Sequence, residues 1–247
     1  ATEIFRIFNN NLLEDKGAIV RASDELDDYV RQLIARRRTQ PAADLLSDLI
    51  AAEEEGDRLS NDELVMLAEA VLMAGTDTTR NQLACAVALF TGAPEQWRLL
   101  DERPELAPRA VEETMRFLGA VRGTARFASE DIEYRDVMFP AGTLVAASLA
   151  AANRDPAVWP EGDTMDITRE PSTSPQLTFG SGIHYCLGAA LARAELQEAL
   201  PLLARRMPDL TLAGPIEWKP PTVGIWGPSR LPLRFGSAAL TAAAAGH

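Results

Sequence analysis

The chain reads as mainly helical, with small β-sheets confined to its second half. Three observations carry that reading. A proline-free run at 60–91 has apolar residues at helical spacing. Short β-prone pieces begin only after Gly119. A stretch at 154–185, rich in Pro, Gly, Asp and Ser, has no period at all. With 47% hydrophobic and 24% charged residues over 247 positions, the chain has ordinary globular composition and length enough for a buried core.

Taken in order, residues 21–38 carry Leu26, Tyr29, Val30, Leu33 and Ile34 at helical spacing. They end in Arg36-Arg37-Arg38, cations suited to a helix C-terminus and expected to be a solvated end. Pro41 separates this helix from a second near 43–54. Ser60-Asn61-Asp62-Glu63 forms a capping box ahead of Leu64, Leu67, Val71 and Leu72, which predicts one helix over 60–91 running through the centre of the fold. A shorter helix follows Pro94, and another is expected at 105–118. Strands are expected at 123–127, 132–134 and 143–147, punctuated by Pro140, Gly142 and Pro156. The aperiodic stretch, of a length that is usually functional, leads into a helix at 187–206 with Leu187, Leu191, Leu196, Leu200 and Leu203 as its apolar positions. Strand candidates lie at 210–212 and 231–235, and the Ala-rich tail 237–247 reads as disordered low complexity.

Lys and Arg number 24 against 36 Asp and Glu, a formal charge of -12, so there is no basic surplus for nucleic-acid phosphate. The two cysteines, Cys85 and Cys186, are too few for a disulfide framework and point to a reducing compartment, hence a cytoplasmic location. No apolar run approaches the length of about 18 residues needed to cross a membrane, and the N-terminus has no signal-peptide pattern. The chain opens at Ala1 directly into Ile4-Phe5-Arg6-Ile7-Phe8, which reads as the middle of something longer.

The strongest chemical signal is Phe179-Gly180-Ser181-Gly182-Ile183-His184-Tyr185-Cys186-Leu187-Gly188. It sets a cysteine at the mouth of a helix, where amide groups and the dipole stabilise a thiolate. Gly180, Gly182 and Gly188 let backbone approach a flat ligand closely. A lone cysteine is usually a buried structural residue, but six fixed letters in F-G-x-G-x-H-x-C-x-G arise by chance on the order of 10⁻⁸ per start position.

A second motif, Ala74-Gly75-Thr76-Asp77-Thr78-Thr79, lies on the long helix. Small residues at 74 and 75 leave room for a flat cofactor and a diatomic ligand. A hydroxyl at 78 that bonds back to carbonyl 74 opens the helix locally, and the adjacent acid makes a proton path from solvent. Mid-helix threonines commonly just bond their own backbone, so the motif gains weight only beside the cysteine loop. Glu113-Thr114-Met115-Arg116 places an acid and an arginine at i and i+3, a common pair of little value when exposed.

Together these residues resemble the cytochrome P450 family, of the soluble bacterial type, over nearly all of 20–236. The resemblance implies residues 1–236 as the C-terminal part of a single P450 domain, with the N-terminal part absent and apolar faces left to invite self-association. It implies haem b (iron protoporphyrin IX) with Cys186 as axial thiolate on the iron, donating electron density that favours O–O cleavage. Phe179 would pack beside the sulfur, His184 would bond a propionate, and Gly180, Gly188, Ala74 and Gly75 would border the cofactor. Asp77 and Thr78 match the family's proton-delivering segment. Glu113 and Arg116 match its E-x-x-R ion pair, a structural anchor for the segment before the haem loop. Arg126, in Arg126-Phe127-Ala128-Ser129-Glu130-Asp131, matches a propionate-binding arginine, with Arg122 the competitor that the register to Glu130-Asp131 disfavours. Asn153-Arg154-Asp155-Pro156 and Trp159-Pro160 resemble the family's meander, but Thr164 stands where an arginine usually completes the E-x-x-R triad. That leaves either a weaker anchor or another group in its place.

The activity implied is a haem-thiolate monooxygenase acting with O₂ on a small, mostly apolar organic substrate. Electrons would come from a ferredoxin or flavodoxin partner and an NAD(P)H-dependent reductase. A non-catalytic haem-binding fragment and a peroxide-using or isomerising haem-thiolate protein are the alternatives; retained Asp77 and Thr78 argue against the latter. Substrate-pocket candidates are Leu72, Ala74 and Thr78 on the long helix, Val121 within 120–124, and Ile225 and Trp226 after Gly224, with Trp226 equally a packing anchor.

Overall fold

A computed structural model of the chain describes residues 16–54, 59–220 and 225–236; the expectations for Ile4–Phe8, Gly224 and 237–247 lie outside them. The chain divides into two units, with the boundary between Thr76 and Asp77.

The first unit holds α1 (Lys16–Thr39), α2 (Leu45–Glu54) and the opening of α3 (Asn61–Thr91). Ala22, Leu26, Val30 and Ile34 recur every four residues, so one face of α1 is apolar and packs with Ile50, Leu64 and Val65. The capping box forms as expected: the Ser60 amide donates to Glu63 Oε2 at 2.7 Å, and the Glu63 amide to Ser60 Oγ at 3.3 Å. The arginine run is not simply a solvated helix end. Arg37 Nε donates to Asp44 Oδ2 at 2.7 Å, and Arg38 Nη2 to Glu53 Oε2 at 2.9 Å, because the turn at Pro41 brings α2 back within reach of both.

The second unit continues α3 through α4 (Pro94–Glu102), a 3-10 turn (Pro104–Leu106), α5 (Ala107–Phe117), a one-turn helix α6 (Leu149–Ala152) and α7 (Ala189–Arg206). Its core joins Ala86, Val87 and Phe90 of α3 with Trp97, Leu100, Val111, Met115, Ile167, Leu196 and Leu200. Trp97 satisfies its one polar group by donating to the Met207 carbonyl at 2.9 Å.

The sheets are two-stranded and antiparallel: β1 (Gly123–Phe127) with β4 (Leu144–Ser148), β2 (Ile132–Tyr134) with β3 (Val137–Phe139), β5 (Thr211–Leu212) with β8 (Leu233–Arg234), and β6 (Glu217–Trp218) with β7 (Pro228–Arg230). β3, β6, β7 and α6 were not expected; pieces this short carry no readable period. The helix expected from 187 begins at Ala189, and Leu187 and Leu191 are 86% and 64% exposed, so they belong to a surface and not to the core that holds Leu196 and Leu200. Between 154 and 185 only one 3-10 turn (Gly182–His184) interrupts loops and bends.

Candidate functional site

The cysteine loop is shaped by its glycines. Gly180 and Gly182 both adopt φ of +72°, a left-handed backbone that side chains resist, and the chain doubles back so that the Cys186 amide donates to the Phe179 carbonyl at 2.9 Å. This turn delivers Cys186, free and exposed, three residues before α7. Ile183, Leu187 and Leu191, the large apolar residues nearest the thiol in sequence, are 98%, 86% and 64% exposed. A Cβ built on Gly182 or Gly188 would meet nothing within 4 Å. The other cysteine is its opposite: Cys85 is buried, and desolvation pushes its thiol up to about 12, so it stays protonated and unreactive.

Two arginines hold the loop and the segment before it. Arg193, seven residues after Cys186 on α7, pairs with Glu112 of α5, donates to Tyr185 Oη at 3.1 Å and lies over the Phe179 ring at 4.4 Å. The hydrogen bonds it donates to Glu112 hold its guanidinium further into the charged range. Arg116 forms a buried ion pair with Glu113, at 2.8 Å on each of two contacts, and sends its remaining donors to the carbonyls of Asn153, Gly162 and Thr164. Thr178 Oγ1 donates to the Met115 carbonyl at 2.8 Å, and the Leu177 amide to Asn153 Oδ1 at 2.7 Å, so the strand of chain entering Phe179 is pinned to α5 and α6.

On α3, Thr76 Oγ1 donates back to the Leu72 carbonyl at 2.8 Å, and a Cβ on Gly75 would find open space. Leu72 packs against the first unit's core, whereas Ala74 and Gly75 close that unit one turn before Asp77 and Thr78. Asp77 is buried. Its Oδ1 pairs with Arg80 and accepts from Asn81 Nδ2 at 2.9 Å. Its Oδ2 is buried without a hydrogen-bond partner among the described residues, and the Lys219 ammonium stands 3.7 Å away.

Arg126 lies on β1 opposite Val145, exposed, with Nη1 donating to Thr124 Oγ1 and the Ala125 carbonyl. Arg122 instead caps the Trp226 ring at 4.6 Å, and Trp226 stacks on Trp218 at 4.5 Å with rings nearly parallel. Trp226 therefore anchors packing, its indole donating to the Lys219 carbonyl at 3.0 Å, while its neighbour Ile225 is bridged to Val121. His184 sits exposed in the 3-10 turn. Arg193, Arg169 and Lys219 went unread in the sequence. For Arg193 the two-turn spacing from Cys186 was an available signal; for Lys219, 142 positions from Asp77, there was none.

A sequence profile described as Cytochrome P450 matches residues 1–207. The chain belongs to the cytochrome P450 family. It is 43% identical over 239 residues to nocardicin C N-oxygenase of Nocardia uniformis subsp. tsuyamanensis, covering 94% of this chain and 59% of that relative. It is 42% identical over 231 residues to luteothin monooxygenase of Streptomyces thioluteus, covering 92% and 56%. Among solved structures, the cytochrome P450 enzyme for C–S bond formation in chuangxinmycin biosynthesis superposes with a TM-score of 0.86 at 36% identity, covering 95% of this chain and 58% of that one. The chain thus spans less than two thirds of the P450 relatives it matches.

The P450 cofactor is haem b, and the residues present fit it. Among the described residues no cluster of three His, Cys, Asp or Glu side chains is placed to hold a metal ion. Cys186, free and exposed, offers a soft thiolate ligand, which suits an iron that brings its remaining ligands in a macrocycle. Flanking Cys186 in sequence are the exposed apolar Ile183 and Leu187 and two glycines, Gly182 and Gly188, with open space where a Cβ would stand, a composition suited to a flat, largely apolar ring. A groove of about 260 Å³ lies elsewhere, lined by Arg109, Glu113, Arg116, Trp159, Arg169 and Gln176 among others; it contains neither Cys186 nor Asp77 and belongs to the anchoring network.

Proposed function

We propose that this P450 chain is the haem-binding part of a haem-thiolate monooxygenase. The enzyme inserts one atom of O₂ into a small, mostly apolar organic substrate and releases the other as water. The observation that carries the reading is Cys186: free, exposed, and delivered by a glycine-shaped turn just before α7, between the exposed apolar Ile183 and Leu187. When bound, haem supplies the iron centre at which O₂ is reduced and made reactive toward the substrate. Cys186 is the ligand that holds it, and Phe179, through its carbonyl, fixes the Cys186 amide and hence the direction of the thiol. His184 and Arg126 would bind the propionates.

Asp77 holds and moves the protons that the reduction consumes. What supports this role is its buried carboxylate, one oxygen of which has no hydrogen-bond partner among the described residues and lies 3.7 Å from the Lys219 ammonium. Thr78, its neighbour, orients the proton's acceptor. Electrons arrive from a ferredoxin- or flavodoxin-type partner and its NAD(P)H-dependent reductase. No helix among the described residues is long and apolar enough to cross a membrane. Ile225 and Val121, held together by a backbone bridge, are the residues proposed to meet substrate.

The deciding experiment is the Soret band of the reduced, carbon monoxide-bound protein. The unsubstituted protein gives the red-shifted thiolate band and Cys186→Ala does not; an unchanged band in Cys186→Ala removes the ligand assignment. Thr78→Ala is expected to consume electrons with less product formed per electron. Equal coupling in that variant counts against the relay.

A further inference from the structure

We propose that Arg169 is a positioning residue for the haem ligand, acting where Thr164 leaves the E-x-x-R anchor one arginine short; the proposal rests on the reading of Cys186 as the iron ligand. Arg169 comes from the aperiodic stretch, five residues after Thr164, and all three nitrogens of its guanidinium donate into the network around Glu113. Nε faces the Glu113 carboxylate at 3.3 Å. Nη1 donates to the Pro160 carbonyl at 2.8 Å, and Nη2 to the carbonyls of Glu161 at 3.2 Å and Thr164 at 2.8 Å.

These bonds lock a turn that is otherwise expensive. Glu161 holds φ of +54°, which non-glycine residues resist, and a Cβ on Gly162 would meet the Arg154 carbonyl at 2.6 Å. The Thr164 carbonyl accepts from Arg116 at 3.1 Å as well as from Arg169, so the two guanidiniums clamp one turn from both sides of one carboxylate. The Thr164 side chain itself is exposed and takes no part in that clamp. A planar, permanently charged fork meeting four oxygens is a task that lysine's single ammonium cannot reproduce.

The connection to Cys186 runs through contiguous contacts. Glu113 Oε1 also accepts from the Asp166 amide at 2.9 Å, and Ile167 is buried with its amide on Gln96 Oε1. Arg116 holds the Asn153 carbonyl, Asn153 holds the Leu177 amide, and the Phe179 carbonyl holds the Cys186 amide. Loosening the turn at 160–164 therefore loosens the frame that aims the thiol. Outer contacts of this kind typically change metal affinity or activity by 10- to 100-fold.

The test compares the unsubstituted protein, Arg169→Ala, Arg169→Lys and the double variant Thr164→Arg/Arg169→Ala. Each is measured for thermal unfolding without haem, haem retention, and the carbon monoxide Soret band. Arg169→Ala is expected to weaken haem retention about tenfold, lose part of the red-shifted band and unfold earlier without haem. Arg169→Lys recovers little, and an arginine at 164 restores most of all three readouts. The proposal is overturned if Arg169→Ala matches the unsubstituted protein while Cys186→Ala abolishes the band, or if Thr164→Arg restores nothing. Should even the unsubstituted protein give no thiolate band, the ligand reading falls separately, and Arg169 is judged by the unfolding of the haem-free variants and by their rescue through Thr164→Arg.

Discussion

The Glu113–Arg116 network and the Cys186 loop sit in the same unit and are connected through Thr178 and Phe179, yet they are built in opposite ways. Around Glu113 every donor is spent: a buried guanidinium meets a buried carboxylate and three carbonyls, with a second arginine alongside. Around Cys186 little is spent. The backbone is fixed by a few turns, and the side chains of Ile183, Leu187 and Leu191 face outward without covering one another. Closed polar networks of the first kind fix geometry at the cost of desolvating charge. Open apolar surfaces of the second kind are what a large flat ligand requires. On the proposed reading of Cys186, the contrast places rigidity one segment away from the surface offered to the haem.

The largest effect should come from breaking the closed side. Arg116→Ala leaves Glu113 and the carbonyls of Asn153 and Gly162 buried with too few donors, and unfolding of the haem-free protein should show a loss of about 3–5 kcal/mol. A loss no greater than that of an exposed ion pair would mean the network is ornamental. Arg169→Ala should cost less, since Arg116 still neutralises Glu113.

A pair of glycines sharpens the same contrast. A Cβ on Gly119 would meet Thr178 Oγ1 at 2.7 Å and the Met115 carbonyl at 2.9 Å, so Gly119→Ala overpacks the seam between α5 and the strand entering the loop. It should destabilise the haem-free protein by about 1–3 kcal/mol. Gly188 has open space beside it, and Gly188→Leu should leave haem-free stability within about 0.5 kcal/mol while lowering haem retention several-fold. Equal loss of haem-free stability in the two variants would erase the distinction between a packed seam and a ligand surface.

What could be read in advance follows the same division. The cysteine loop is legible because the exposed Cys186 and the glycines at 182 and 188, with open space beside them, have no explanation in the chain's own packing, and a long helix announces itself through Ser60 and an unbroken apolar period. The partners of Glu113 and Asp77 were not fully legible. Arg169 acts mainly on backbone carbonyls, which leave no mark in the sequence, and Lys219 reaches Asp77 from a segment far along the chain. Leu187 and Leu191 share the apolar list of that helix with Leu196 and Leu200 yet are exposed, because apolar spacing identifies a face and not what that face meets. Trp218 and Trp226 stack under Arg122, a packing that the sequence does not announce because the two rings come from different segments.

The smallest expected effect lies outside both regions, at the head of α3, and serves as their control. Glu63 accepts from the Ser60 amide and hydroxyl, and these bonds hold its carboxyl below the ordinary value of 4.5. The folded state therefore favours the ionised form more than the unfolded chain does. The stabilisation is fully present above 4.5 and is lost as pH falls through the lowered value, where the folded state must also take up the proton. Glu63→Gln should lower the melting temperature slightly at neutral pH, and the gap to the unsubstituted protein should close on acidification. It should leave haem retention and the Soret band untouched at every pH. A gap that widens in acid would show the sign to be wrong, and a change in the Soret band would show that the cap of α3 reaches the ligand after all.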